Sequence, residues 1–183
     1  GLTEINGKVT KYRNTLTAPL SGKECVYCRL SITEWRHGKK RSYPVELRAK
    51  EKGVLFNLDD DTGSILIDAR GANLENLTRS IDIESRQGEN TITDTILDYC
   101  KQRGIELYRK NGTLKKIEFK ETHIPVGQDL YIMGIASKNK YKDPASKSEQ
   151  NDNNVETSST QDNNSANQIV NPQDLVVDLG LDN

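Results

Sequence analysis

Two cysteines three residues apart, in Cys25-Val26-Tyr27-Cys28, have residue types and spacing suited to chemistry. Such a dithiol exchanges electrons when it lies at a helix terminus, where the local dipole lowers one thiol's pKa. Here the flanking residues alternate as in a strand, and residues three apart on a regular strand point to opposite faces. Without a bulge, the pair is poorly placed for a disulfide or for one metal ion, and reads as packing. Zinc faces the same difficulty. Cys25, Cys28, Cys100, His37 and His123 carry suitable atoms, but neither a second C-x-x-C nor a compact histidine pair accompanies them. Three cysteines are also too few for a dense disulfide framework. Three reduced thiols in a reducing compartment are the simplest reading, with one bridge and one free thiol as the alternative.

Asp59-Asp60-Asp61-Thr62-Gly63 offers hard oxygen ligands for calcium or magnesium, and with them a divalent-metal hydrolase. The run lacks the spacing and terminal Glu of an EF-hand. Asp side chains that accept turn N–H groups account for the run without a metal. Glu118 and Glu121 would serve as paired carboxylates only if folding set both around one cleft. No phosphate-binding loop, dinucleotide fingerprint, zinc-protease helix or nucleophile elbow is present. His37 and His123 stand too far from other catalytic residue types to be assigned as bases, and read as a turn residue and a strand-end residue.

Recognition chemistry is better represented. Trp35, His37, Lys39, Lys40 and Arg41 cluster where two strands are expected to meet. Trp35 would anchor an apolar contact while the cations meet an anionic surface. Tyr27, Arg29 and Trp35 share the odd-numbered face of the same strand, an arrangement suited to stacking single-stranded nucleic acid. A single-strand-binding module is therefore one alternative, and the metal hydrolase is another. The basic charge is modest for nucleic acid. Residues 1–143 carry a formal charge of +5 and residues 144–183 carry −6, so the net −1 of the 183-residue chain conceals two opposite parts.

These residues must be positioned by a body that ends before the chain does. Hydrophobic residues make up 33% of the sequence, and residues 144–174 are so rich in Asn, Gln, Ser, Asp and Thr that they cannot offset the entropy of ordering. The expected organisation is one β-rich domain over residues 1–143 and an acidic, Asn/Ser-rich, mostly disordered tail over 144–183. Alternating Leu175, Val177 and Leu179 make the chain's end a returning strand, a linear binding segment or, most simply, a disordered terminus.

Within the domain, a turn near Asn6-Gly7 precedes a strand over Lys8–Tyr12. Period-two alternation marks strands over Cys25–Trp35 and Tyr43–Lys50, which pair as a long hairpin with a basic tip. Further strands are expected over Val54–Leu58, Ile65–Asp68, Leu77–Glu84, Ile105–Tyr108, Leu114–Thr122 and Leu130–Ala136, with turns at Asp59–Gly63 and Asn111-Gly112. One helix spans Thr93–Arg103. Thr91 is its expected cap, Ile92, Ile96, Leu97 and Cys100 its buried stripe, and Gly104 its terminator. The fold class is mainly β with one helix, as a small barrel or sandwich-like mixed domain.

Several fragments, in order, resemble one family. They are Gly7-Lys8-Val9, Pro19-Leu20-Ser21-Gly22, Cys25-Val26-Tyr27, the segment from Phe56 to Gly63, Ile65-Leu66-Ile67-Asp68, and the long run from Glu118 to Gly134. Across residues 5–136 the chain is similar to the GIDE-type, or beside-a-membrane, domain of mitochondrial ubiquitin ligases and prokaryotic relatives. The resemblance implies a recognition or regulatory module of a membrane-anchored protein. It carries over no catalytic residue set and no cofactor. A RING needs an array of Cys and His residues that this chain lacks, so ligase activity is not implied. The position of Cys28 is often aromatic in that pattern, which weakens any dithiol role further. No segment has the roughly 20 apolar residues of a membrane span, and no signal peptide opens the chain. The first residue is Gly, so the chain reads as the soluble portion of a longer parent that holds any membrane anchor. The expected partners are a protein or an anionic surface, with nucleic acid as a further possibility.

Overall fold

The computed structural model describes residues 2–70, 77, 79–141 and 175–178. It is mainly β with one helix, arranged as a closed five-stranded barrel beside a second sheet of five strands.

The barrel runs in the order β1 (Leu2–Lys11), β5 (Leu55–Asp60), β6 (Gly63–Asp68), β10 (Leu175–Asp178) and β9 (Asp129–Lys138). The expected turn at Asn6-Gly7 is absent. Both residues lie within β1, with Asn6 opposite Tyr131 and Gly7 opposite Leu130. Gly7 is needed there for space, because a Cβ would sit 2.6 Å from the Asp59 carbonyl oxygen. The acidic turn is where the sequence places it. Asp60 pairs with Gly63, and its Oδ1 accepts hydrogen bonds from Thr62 N–H at 2.7 Å and Gly63 N–H at 3.0 Å.

β10 closes the barrel, parallel to β6 and antiparallel to β9. The returning-strand reading of the chain's end therefore holds for Leu175–Asp178, and the expected boundary after residue 143 separates pieces of one barrel. Residues 144–174 lie outside the described residues. Val9, Phe56, Leu58, Ile67, Ile132 and Val177 fill the barrel interior. Its end is tied by Asp68, buried to 4% exposure, which accepts a hydrogen bond from the Tyr141 hydroxyl at 2.8 Å and a charged pair from Arg70.

The second sheet orders β2 (Leu16–Thr17), β3 (Glu24–His37), β8 (Ile117–Pro125) and β7 (Arg79–Glu84), with β4 (Ser42–Gly53) also paired to β3. β3 and β4 form the expected hairpin, Tyr27 opposite Gly53 at one end and His37 opposite Ser42 at the other. The strand expected over Ile105–Tyr108 is reduced to a single bridge between Tyr108 and Leu114, on either side of the turn at Gly112.

The helix α1 (Asp94–Arg103) covers one face of this sheet. Its cap is Thr93 rather than Thr91: Thr93 is extended and its Oγ1 accepts from Ile96 N–H at 3.4 Å. A cap accepts from an N–H two or three residues on, and Thr91 stands five residues before Ile96. Ile96, Tyr99 and Cys100 are buried against Leu30, Ile32, Ile117 and Phe119, and Ile92 packs at their edge. Leu97, expected inside, is 37% exposed, and Tyr99 takes its place. Each fully buried side chain of this size contributes roughly 1.5–3 kcal/mol. Helix and sheet thus form a second core, separate from that of the barrel.

Candidate functional site

The expected recognition cluster occupies the far end of the β3–β4 hairpin. β8 follows β3 only as far as the Glu34–Ile117 pair. Trp35 faces Pro44 and its backbone N–H still donates to the Lys116 carbonyl at 2.8 Å; beyond it Arg36 faces Tyr43 and His37 faces Ser42, so the end of the hairpin projects as a two-stranded arm. Gly38 N–H donates to the Arg41 carbonyl at 3.0 Å and closes the loop. The side chains there differ in what they have left to offer. Arg36 donates from Nε and Nη2 to Glu34 Oε2, at 3.1 and 2.9 Å. His37 Nδ1 lies 2.9 Å from Ser42 Oγ. Trp35 is half-buried under the Lys116 ammonium, which lies 5.9 Å from its ring centre. Lys39, Lys40 and Arg41 are exposed, and among the described residues no carboxylate pairs with them. The structure therefore brings the five candidates together on one arm but leaves three of them free. Tyr43, 46% exposed, supplies the open aromatic surface that Trp35 was expected to give.

The stacking surface expected for nucleic acid does not form. Tyr27 is fully buried in the barrel core, and burial pushes its hydroxyl up to about 12. Arg29 is held by Glu51, Nη2 to Oε2 at 3.2 Å. The two losses have different causes: Arg29 lies directly opposite Glu51 across the β3–β4 pair, and Tyr27 is turned inward. A bulge between Cys25 and Tyr27, where two residues of β3 pass one of β8, lets both faces of the strand be buried.

Two of the three acids of the run are engaged by hydroxyls and turn amides. Asp59 accepts from Thr10 Oγ1 at 2.7 Å and from Ser64 Oγ. Asp60 accepts from Thr62 Oγ1 at 2.6 Å as well as from the two turn amides, and those bonds hold its pKa below the usual carboxylate range. Asp61 is exposed beside them. Among the described residues no group of three His, Cys, Asp or Glu is placed to hold a metal ion.

The bulge at Val26 also changes the cysteines. Val26 and Tyr27 turn into the barrel, whereas Cys25 and Cys28 lie together against Ala18 and Leu16. The expectation that the two thiols face opposite ways fails for this reason: one inserted residue restores the parity that three steps of a regular strand would break. Both are free thiols. Cys25 Sγ lies 3.7 Å from the Leu16 carbonyl oxygen, which its S–H meets as donor. The neighbouring Cys25 thiol lowers the Cys28 pKa against burial and the buried Glu121 carboxylate, with Lys52 and Lys50 as smaller lowering influences. The Cys28 thiol beside it raises the Cys25 pKa, aided by burial.

Cys28 opens onto a cleft of about 140 Å³ lined also by Thr17, Pro19, Leu30, Lys50, Lys52, Tyr99 and Arg103. Strand pairing explains the lining, since Lys52 lies opposite Cys28 and Lys50 opposite Leu30. From the helix, Arg103 lies 5.3 Å over the Tyr99 ring, and the Tyr99 hydroxyl accepts from Arg48 Nε at 3.1 Å. Repulsion from Lys52, then burial, Arg48 and Arg103, lowers the Lys50 pKa. The helix that covers the sheet thus brings a second source of positive charge to a strand pair already bearing two lysines. The C-x-x-C motif was the sequence signal for this cleft; nothing in the spacing of Lys50, Lys52 and Arg103 pointed to it.

The outer face of the β1–β9 pair carries Leu2, Tyr131, Met133 and Ile135, each more than half exposed. Among the described residues no helix is long and apolar enough to cross a membrane. No protein-family model, curated protein or solved structure matches this chain.

Proposed function

We propose that this chain is a noncatalytic recognition domain of a membrane-associated protein, and that it engages an anionic partner surface through the β3–β4 arm. The reading rests on one observation: Lys39, Lys40 and Arg41 stand exposed on an arm that outruns its sheet, and no described carboxylate neutralises them. A cation held in an ion pair has little to give a partner, whereas one held only in water exchanges that water for an anionic group at small cost. The rigid two-stranded stem limits the entropy lost when the arm docks. The resemblance to beside-a-membrane domains supplies the membrane-associated parent, and the partner is a protein or other surface of negative charge.

The test uses sedimentation of the full chain with phosphatidylcholine vesicles, with and without phosphatidylserine, at low ionic strength. Each basic residue near such a surface contributes about 1 kcal/mol, so replacing Lys39, Lys40 and Arg41 by Ala should weaken binding by roughly a hundredfold. Equal binding to neutral vesicles, or undiminished binding of a folded triple variant, would overturn the assignment of the arm.

A further inference from the structure

The cleft between α1 and the second sheet is separate from the arm and has its own chemistry. Its floor is a thiol, its walls are three cations, and none of its lining side chains is acidic. Among the described residues no carboxylate pairs with Lys50, Lys52 or Arg103. Four cations, with Arg48, converge on a small volume, and their mutual repulsion shows in Lys50. A cleft lined by one sign of charge concentrates ions of the other sign. Cys28 is the one cysteine of the three that borders this space. Cys25 lies against Ala18 and Leu16, and Cys100 is sealed in the helix–sheet core, where burial pushes its thiol up to about 11.

We propose that this cleft is an anion-binding site in which the Cys28 sulfur exchanges with small anionic disulfides. The cations would seat the carboxylates of the disulfide and favour the thiolate that attacks it. Cys28 loses its proton to solvent, and its sulfur forms a bond to one sulfur of the ligand. The ligand's own S–S bond breaks, and its other half leaves with the electron pair as a thiolate. Cys28 is thereby oxidised to a mixed disulfide and the incoming disulfide is reduced, with no other oxidant required. His123 lies opposite Cys28 across β3 and β8, and its Nδ1 has no hydrogen-bond partner, so the Cys28 proton goes to solvent. Electrostatic seating is therefore the feature that selects the ligand.

The experiment exposes the reduced, folded full chain to two disulfides of similar size and opposite charge, dithiodiglycolate and cystamine, and follows adduct formation by intact mass and peptide mapping. The expected result is a single thioglycolate adduct on Cys28, formed at least about tenfold faster than the cystamine adduct at low salt and approaching it as salt rises. Cys28→Ser should abolish the adduct. Lys50→Ala with Lys52→Ala should bring the two rates together while the melting temperature stays within a few degrees. Equal rates for the two disulfides in the native chain overturn the proposal, as does a rate preference that survives the double substitution. Adducts that appear on Cys25 or Cys100 as readily as on Cys28 also overturn it, because they report opening of the fold rather than entry into the cleft.

Discussion

The Glu121 carboxylate, fully buried on β8, accepts the Leu20 backbone N–H at 2.7 Å across a hundred residues of sequence. Ser21 N–H at 3.2 Å and Ser80 Oγ at 2.7 Å complete its shell. The Pro19–Gly22 loop therefore hangs from a buried charge, and with it Pro19 and Thr17 at the rim of the cleft. Glu121→Gln turns one acceptor oxygen into a donor facing a loop amide, and Glu121→Ala leaves both loop amides unmatched. Glu121→Gln should cost about 1–3 kcal/mol and Glu121→Ala more, measured by urea unfolding. A neutral result for both would mean that water replaces the carboxylate without penalty.

His123 should make stability fall in mild acid. Burial and the nearby Lys23 lower its pKa in the folded chain, against a smaller opposite effect of Glu121. The unfolded chain then binds a proton that the native state rejects, so stability is complete above the unfolded pKa of about 6.5 and declines as pH drops below it. His123→Asn should flatten the unfolding midpoint between pH 7 and pH 5. An unchanged slope in that variant would assign the decline to other groups.

Asp68 acts in a lower window. Burial raises its pKa, but the hydrogen bonds from Arg70 and Tyr141 outweigh it and leave the carboxyl below its usual range. Its contribution is present above the unfolded pKa of about 3.9 and is lost as pH falls through the folded value. Tyr141→Phe should lower stability at neutral pH by about 1–3 kcal/mol and by less as pH falls through the folded value, measured by urea unfolding at pH 7 and pH 3; an equal loss at both would assign the effect to something other than Asp68.

Closure by β10 should be essential to the barrel. Val177 is fully buried among the barrel residues, between β6 and β9. Val177→Asp would place an unpaired charge there and should cost about 3 kcal/mol or more, read as a fall in melting temperature. A wild-type melting curve would show that the barrel holds without this strand.

The two threonines before α1 offer a sharper contrast. Thr93→Ala removes the cap and should cost about 1 kcal/mol of stability by chemical denaturation. Thr91 Oγ1 is buried with no partner, so Thr91→Val should be neutral or stabilising. The reverse ranking would restore Thr91 as the cap.

The sequence by itself determined most of the local structure. Alternation placed β3, β4, β8 and β9, the Asp59–Gly63 run placed a hairpin turn, and Gly104 ended the helix, because each depends on side chains within a few residues of one another. It also located the β3–β4 hairpin and its basic tip. Tertiary structure decided what depends on distant partners. Gly7 looks like a turn former until Asp59 is seen pressing on it. Trp35 looks like an anchor until Lys116 covers it. Cys25 and Cys28 look opposed until a one-residue bulge against β8 puts them on one side. Likewise Lys50, Lys52 and Arg103 are ordinary surface cations in the sequence. They become walls of one cleft only because α1 folds over the strand pair that bears the lysines, and packing of that kind is set by the whole core rather than by any local spacing.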